Sequence, residues 1–336
     1  MTFAPLVADP RGAVAAAIAG TAEGIAVATS GSTGAPRDVL LPASAIRASA
    51  ELTARRLGGE ASWLLALPAD RIGGAMVIAR ATLAGTALVE LPAGPFTARA
   101  FAAAAATLPE GRRHVSLVPT QLRRLLGEAE GRDALEPFDA VLVGGAALPD
   151  ADVPAAVVRT YGMSETSGGC VYAGDPLDGV GVRIGEDGRV RLSGPTLAAG
   201  YADGDDSAFE TIDGERWFVT SDVGELRDGR LAVLGRADHV INTGGAKVHP
   251  QRIELALEGA GAGAAAVVGV PDAEWGERVV AVVEGEVDDA SLEAALAHLS
   301  RYERPRRIVR VARVPRTPGG KMDRSAARTI AAEEDR

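Results

Sequence analysis

Apolar and polar positions change rhythm twice along the chain, and each change predicts a different architecture. Between Gly24 and Tyr161 short apolar runs, GIAVA, SWLLAL, TALVEL, HVSLV, DAVLVG and VVRTYG, alternate with longer segments such as PASAIRASAELTARRLG, IGGAMVIARATL, TARAFAAAAATL and PTQLRRLLG. Repetition of a strand-length run and a helix-length segment is the pattern of βα units on a largely parallel sheet. From Gly181 to Gly235 the arms shorten and alternate; GVRIGEDGRVRLSG and GELRDGRLAVLG each centre on Asp-Gly, a dipeptide that hairpin turns favour. After GRADHVINTGGAKV, helix-like QRIELALEG and SLEAALAHLSR mix with strand-like AAAVVGV, RVVAVVEG and RRIVRVARV. The expected fold is α/β in two domains. Residues 1–236 form a large one, with a mostly parallel βα-layered sheet to about residue 180 and a β-rich subdomain over 181–236; residues 237–336 form a small α+β domain.

Composition narrows the function. With 336 residues and 47% hydrophobic content the chain can bury a substantial core, and a net charge of −10 argues against a general nucleic-acid or membrane-surface binder. Cys170 is the sole cysteine, which rules out an intrachain disulfide and suits a reducing cytoplasm. The opening MTFAPLVADPRGAVAAAIAG lacks a basic leader and reads as neither a signal peptide nor an anchor. Of 35 basic residues only Lys247 and Lys321 are lysine, each just after a glycine pair or nearly so, in TGGAKV and PGGKMD. A compact ammonium and a planar guanidinium are not interchangeable at a reacting phosphate. At least one of the two lysines is therefore expected to be chemical.

TSGSTGAPRDV, Thr29–Val39, places hydroxyls (Thr29, Ser30, Ser32, Thr33) and freed backbone N–H groups (Gly31, Gly34) between an apolar run and a helix-like segment, as an anion-binding loop does. It is not a Walker A loop, because Pro36 and Arg37 stand where the second glycine and the lysine belong. The G-x-G-x-x-G spacing of dinucleotide binders is also absent. Taken alone, the stretch reads equally well as an ordinary Ser/Gly turn.

Four further strings follow in order: YGMSETSGG (Tyr161–Gly169), TSDVGEL (Thr220–Leu226), GRADHVINTGGAKV (Gly235–Val248) and PRTPGGKMDR (Pro315–Arg324). Together with the loop they resemble the adenylate-forming superfamily of acyl-CoA synthetases, luciferases and peptide-synthetase adenylation domains. Within it, SLVPTQLRRLL, DAVLVGGAALP and YGMSETSGGCVYAGDPLDGV look most like the o-succinylbenzoate–CoA ligases of menaquinone biosynthesis, compact actinobacterial type. The resemblance implies ATP, Mg²⁺ and coenzyme A as cofactors and co-substrates, and a small carboxylic acid, o-succinylbenzoate, as partner molecule. It also implies no nucleic acid and no membrane insertion.

It implies roles as well. Thr29, Ser30, Gly31, Ser32, Thr33, Gly34 and Arg37 would grip the β- and γ-phosphates, with Glu165 on Mg²⁺ and Thr166 beside it. Tyr161, Gly162, Met163, Gly144, Gly145 and Ala146 would line the adenine site, Asp222 would meet the ribose hydroxyls, and Arg236 would lie near ribose and phosphate. Lys321 would contact the charge developing between acid and α-phosphate. Asp238 would be the hinge of a mobile C-terminal lid that brings Gly244, Gly245 and Lys247 to the CoA channel. Ser116, Thr120, Gln121, Ser167, Gly168 and Gly169 would line the acyl pocket, and Arg71 or a neighbouring polar group would meet a second carboxylate. Cys170 reads as a wall residue, and His114 reads equally well as a structural or a pocket residue. The chain departs from the family at Arg37-Asp38, where lysine and glycine are usual, at His239, where a second acid is usual, and in having only 28 residues before Thr29. A subdomain that usually packs there looks reduced, and a homodimer is the expected cover for the bared face. Another acid–CoA ligase, or a non-catalytic nucleotide-binding relative, are the alternatives.

Overall fold

The computed structural model describes residues 2–29, 37–148, 153–317 and 322–333. Most of the apolar runs become a seven-stranded sheet. Leu88–Glu90, Ser62–Leu65, Arg113–Leu117, Ala140–Val143 and Val157–Met163 lie parallel in that spatial order, and antiparallel Gly168–Tyr172 and Asp175–Pro176 extend the edge. The central strands are apolar nearly throughout because both faces are covered. The two-residue period sorts their side chains: Trp63, Leu65 and Leu142 join one core, Leu64, Val115, Leu117, Val141 and Val143 the other. Helices Ala43–Arg56 and Ile72–Ala84 cover the first side through Ile46, Leu52, Met76 and Ile78. Helices Ala98–Ala105, Pro119–Leu126 and Ala129–Leu135 cover the second through Phe101, Leu122, Leu125 and Leu135.

The first apolar run departs from expectation. Gly24–Thr29 does not feed a helix of the parallel sheet; it pairs antiparallel with Arg37–Pro42, with Thr29 opposite Arg37. Phe3–Pro5 adds on one side and Gly200–Tyr201 on the other, making a separate four-stranded sheet. The reason lies in RDVLLP: Val39 and Leu41 are fully buried while Asp38 and Leu40 face outward, a two-residue period that a helix cannot satisfy. Helix Ala43–Arg56 starts only after Pro42. The Ala-rich segment before this sheet is itself a helix, Pro10–Ala19, capped by the Asp9 carboxylate and closed by left-handed Gly20.

The Asp-Gly arms fold as expected into an antiparallel sheet built on the long strand Glu215–Arg227. Asp228 and Gly229 both hold positive φ, 50° and 78°, as a two-residue hairpin turn requires. In the C-terminal part, Ala264–Asp272 and Gly276–Glu284 pair over their whole length, with Arg307–Val311 parallel to the second. Alternate residues separate again: Ala265, Val267, Val279, Ala281 and Val283 pack with Ile253, Leu257, Leu292 and Leu296, whereas Ala264, Ala266, Val268, Val280 and Val282 pack with Ala327 and Ala331 of helix Arg324–Glu333. Among the described residues no helix is long and apolar enough to cross a membrane.

One buried polar group sets a pH dependence. Trp63 and His114 are neighbours across the parallel ladder, their rings edge-on at 5.1 Å, and the Arg80 guanidinium stands over the indole at 5.2 Å. Burial pushes the His114 imidazole down to about 4, with Asp139 opposing and Arg112 and Arg80 adding to the shift. A depressed histidine stabilises the fold fully above the unfolded value near 6.5, and the contribution fades as the pH falls from there toward 4, because only the unfolded chain then takes the proton. Urea unfolding at pH 7.5 and pH 5 should show a loss of which about 2 kcal/mol belongs to this group. A His114→Gln variant should show a correspondingly smaller loss; an equal one would exclude His114 as the source.

Candidate active site

The carboxyl ends of parallel strands are where open α/β sheets hold ligands, and Tyr161, Gly162, Met163, Glu165 and Thr166 lie at one such end. After strand Val157–Met163 the chain makes a single turn, Ser164–Thr166, and returns as Gly168–Tyr172. The return is tight: a Cβ on Gly162 would sit 2.1 Å from the Gly168 carbonyl oxygen. The buried Thr166 hydroxyl accepts from the Met163 N–H at 2.9 Å and donates to the Gly168 carbonyl at 2.8 Å. Thr166 therefore holds the turn with its donor and one of its two acceptor positions. Ser167 is held left-handed at φ 53°; its hydroxyl donates to the Thr196 carbonyl and its own carbonyl accepts from the Ser49 hydroxyl, both at 2.9 Å.

That clamped turn projects Glu165. The Tyr201 hydroxyl donates to Glu165 Oε1 at 2.8 Å, and the Glu165 carbonyl accepts from the Ala198 N–H. Burial and the neighbouring carboxylate raise the Tyr201 hydroxyl, so it stays a donor. Glu165 Oε2 has no hydrogen-bond partner among the described residues. Among those residues no group of three or more His, Cys, Asp or Glu side chains is placed to hold a metal. A lone carboxylate with one free oxygen fits a hard cation that brings its own water and phosphate ligands, as Mg²⁺ does.

On the preceding strand, the half-buried Tyr161 donates its hydroxyl to Asp222 Oδ2 at 2.9 Å. Burial raises the Tyr161 hydroxyl strongly, with Asp222 adding to it. Burial likewise raises the Asp222 carboxyl, partly offset by the Tyr161 hydrogen bond and by Arg236. Asp222 pairs across the ladder with Arg236, whose guanidinium grips Asp238 through Nε and Nη2 at 3.0 and 3.1 Å. Asp222 Oδ1 is unpartnered among the described residues, free to accept from a diol.

Other expected residues fall differently. Arg37 donates through Nε and Nη2 to both Asp203 oxygens at 2.8 and 2.9 Å, and its guanidinium lies 3.8 Å from the Tyr201 ring centre. An arginine so engaged is not a free phosphate ligand. Arg71 is exposed and donates to the Ala28 carbonyl, beside Thr29, whose hydroxyl donates to the Arg37 carbonyl. The Gln121 amide is spent on local structure, accepting from Val118 N–H and donating to the Ala66 carbonyl. Ser116 is buried, Thr120 exposed, and Gly144 allows close approach to Thr160, whose Oγ1 would lie 2.5 Å from an added Cβ. Gly145 and Ala146 are exposed beside it, and Met163 forms the entry to the turn. Cys170 is fully buried and its thiol pushed up to about 12, as a wall residue. Ser30, Gly31, Ser32, Thr33, Gly34 and Lys321 lie outside the described residues.

Arg80 was not foreseen. Helix Ile72–Ala84 is buried along Gly74–Ala81, and Arg80 sits in its interior at 6% exposure, with Nε unbonded and no carboxylate in ion-pair reach among the described residues. Burial lowers its pKa. Ile72 and Met76 of the same helix face meet Gly168, and Arg80 lies one turn further along that face. An arginine in an otherwise apolar IGGAMVIARATL was the available signal.

In the C-terminal sheet, Gly244 and Gly245 turn the hairpin Ile241–Thr243 to Ala246–Val248 with φ 55° and 78°, Gly244 against the Trp275 ring, and Lys247 is exposed. Helix Pro250–Gly259 reaches the larger part through Glu258 and Arg123, 2.8 Å apart.

Residues 26–202 match the AMP-binding enzyme family and residues 259–321 the AMP-binding enzyme C-terminal domain. A probable 2-succinylbenzoate–CoA ligase of Mycobacterium tuberculosis is 43% identical over 332 residues, covering 93% of this chain and 85% of that protein. The 2-succinylbenzoate–CoA ligase of Salmonella typhimurium is 32% identical, covering 89% and 67%. Among solved structures, o-succinylbenzoate CoA synthetase of Bacillus subtilis, in complex with its acyl-adenylate intermediate, superposes with a TM-score of 0.75 at 25% identity, covering 90% of this chain and 68% of that one.

Proposed function

The chain belongs to the AMP-binding enzyme family, and from there we propose that it is an AMP-forming o-succinylbenzoate–CoA ligase of menaquinone biosynthesis. The acid's carboxylate attacks the α-phosphate of ATP, releasing pyrophosphate and leaving an acyl-adenylate; the thiol of coenzyme A then attacks the acyl carbon and AMP departs. Such chemistry needs positioning and charge neutralisation more than covalent help. Asp222, oriented by Tyr161, receives the ribose hydroxyls. The loop from Thr29 to Gly34 holds the outer phosphates through backbone N–H groups. Glu165 holds Mg²⁺, which when bound neutralises phosphate charge. Lys321 meets the charge on the attacking carboxylate and α-phosphate, and Gly244, Gly245 and Lys247 flank the thiol's path. Residues 237–336 act as the lid, with Asp238, held by Arg236, at its hinge. ATP and CoA are metabolites of the cytoplasm, and a lone unpaired cysteine suits that compartment.

The observation that carries the substrate is Arg80. A buried guanidinium without a counter-charge is costly to the free protein and is resolved by a ligand with a carboxylate to spare. o-Succinylbenzoate has two, one for adenylation and one for Arg80. Incubation with ATP, Mg²⁺, CoA and o-succinylbenzoate should yield AMP, pyrophosphate and a monothioester. Benzoate without the second carboxylate should react with kcat/KM lower by about 10²-fold or more. ADP as product, or equal use of plain benzoate, would overturn the assignment.

A further inference from the structure

On the reading that Glu165 holds the metal, we infer that Tyr201, backed by Arg37, is the residue pair that positions it, and that Arg37 acts through Tyr201 instead of touching phosphate. Tyr201 is 8% exposed and fixes Glu165 Oε1 at 2.8 Å, leaving Oε2 to the ligand side. That hydrogen bond restricts the orientation of the carboxylate and favours Oε2 as the coordinating atom.

The tyrosine is itself immobilised. Arg37 lies 3.8 Å from its ring centre, and Phe209 packs against it at 5.9 Å. Arg37 is fixed in turn by both oxygens of Asp203 and by the Asp205 carbonyl at 2.8 Å. The backbone repeats the connection. Tyr201 pairs with Val39 and Gly200 with Leu40, the Ala202 N–H donates to Asp38, and the Ala198 N–H donates to the Glu165 carbonyl. Arg37 opens the strand that follows the glycine-serine loop, with Thr29 as its partner across the hairpin. The stem of the phosphate loop and the metal-holding carboxylate are thus joined through one side-chain stack and one short ladder, so their separation is set by the protein before any ligand arrives. The positive charge that follows the loop in sequence is consumed by this stack and by Asp203.

The test is binding of Mn²⁺ to the enzyme–ATP complex, followed by electron paramagnetic resonance without the acid, so that no turnover is needed. Binding of metal-free ATP in chelator and the thermal midpoint are read alongside. Y201F and R37Q should each weaken Mn²⁺ binding by about tenfold, the usual consequence of losing a partner that orients a metal ligand, with metal-free ATP affinity unchanged. D203N, at an exposed position, should move Mn²⁺ binding in the same direction by less. If E165Q weakens Mn²⁺ binding but Y201F does not, the positioning assignment fails while the Glu165 reading stands. If E165Q has no effect, the Glu165 reading itself fails. If R37Q weakens metal-free ATP to the same extent, Arg37 touches phosphate and its part in the stack is wrong.

Discussion

Alanine at Lys321 is expected to lower ATP–pyrophosphate exchange by about 10²–10³-fold, the cost of removing one preorganised donor from a developing charge, while transfer from a presynthesised acyl-adenylate to CoA changes little. The asymmetry follows from charge. Adenylation brings a carboxylate onto a phosphate that already carries negative charge, and a compact ammonium between them lowers that repulsion at the moment of attack. Thioester formation begins with a mixed anhydride and needs no such cation. The flanks of this lysine are anchored: Arg316 bridges Met322, the Asp323 N–H donates to the Pro315 carbonyl, and Arg324 makes a two-pronged pair with the buried Glu254 at 2.6 and 2.8 Å. Arginine at 321 should recover little, because its planar fork cannot replace a point charge on a flexible stem. Equal loss in both half-reactions would exclude the proposed role.

Arg80→Met should have two effects of opposite sign. The kcat/KM for o-succinylbenzoate should fall by about 10²–10³-fold, since a buried charge pair loses one partner. Meanwhile the thermal midpoint of the free enzyme should rise by about 2–4 °C, as an unpaired buried cation gives way to an apolar side chain of similar length. Activity with plain benzoate should be unaffected. A variant that loses stability and keeps its substrate preference would make Arg80 a structural residue, and the second carboxylate would need another partner.

The parts of the fold that could be read from the sequence are those in which a period repeats. The parallel strands and the Asp-Gly hairpins each carry their instruction locally, and the structure forms them where the alternation places them. Strand Arg37–Pro42 is hidden because it is short, begins inside the loop string TSGSTGAPRDV and runs straight into a helix, so its two-residue period has no room to repeat. Helix Pro10–Ala19 was hidden by alanine, which is compatible with every environment. Among the candidate site residues, Tyr161, Glu165 and Asp222 lie within recognisable strings, and the structure brings Tyr161 and Asp222 into contact. The engagement of Arg37 depends on Asp203, 166 positions away. No local signal reports such a partner. Arg80 was passed over for the opposite reason: arginine is a good helix former, and only its place among apolar neighbours on every side distinguishes it from a surface cation.

The antiparallel pairing of Gly24–Thr29 with Arg37–Pro42 has an electrostatic consequence. A helix aims the positive end of its macrodipole at whatever caps it, within about one turn, and many nucleotide sites draw on that field. Among the described residues the first helix after Thr29 begins at Ala43, beyond the strand Arg37–Pro42. On the proposed reading, polyphosphate held between those two strands would receive little axial field from that helix, which leaves more of the screening to the divalent ion and to Lys321.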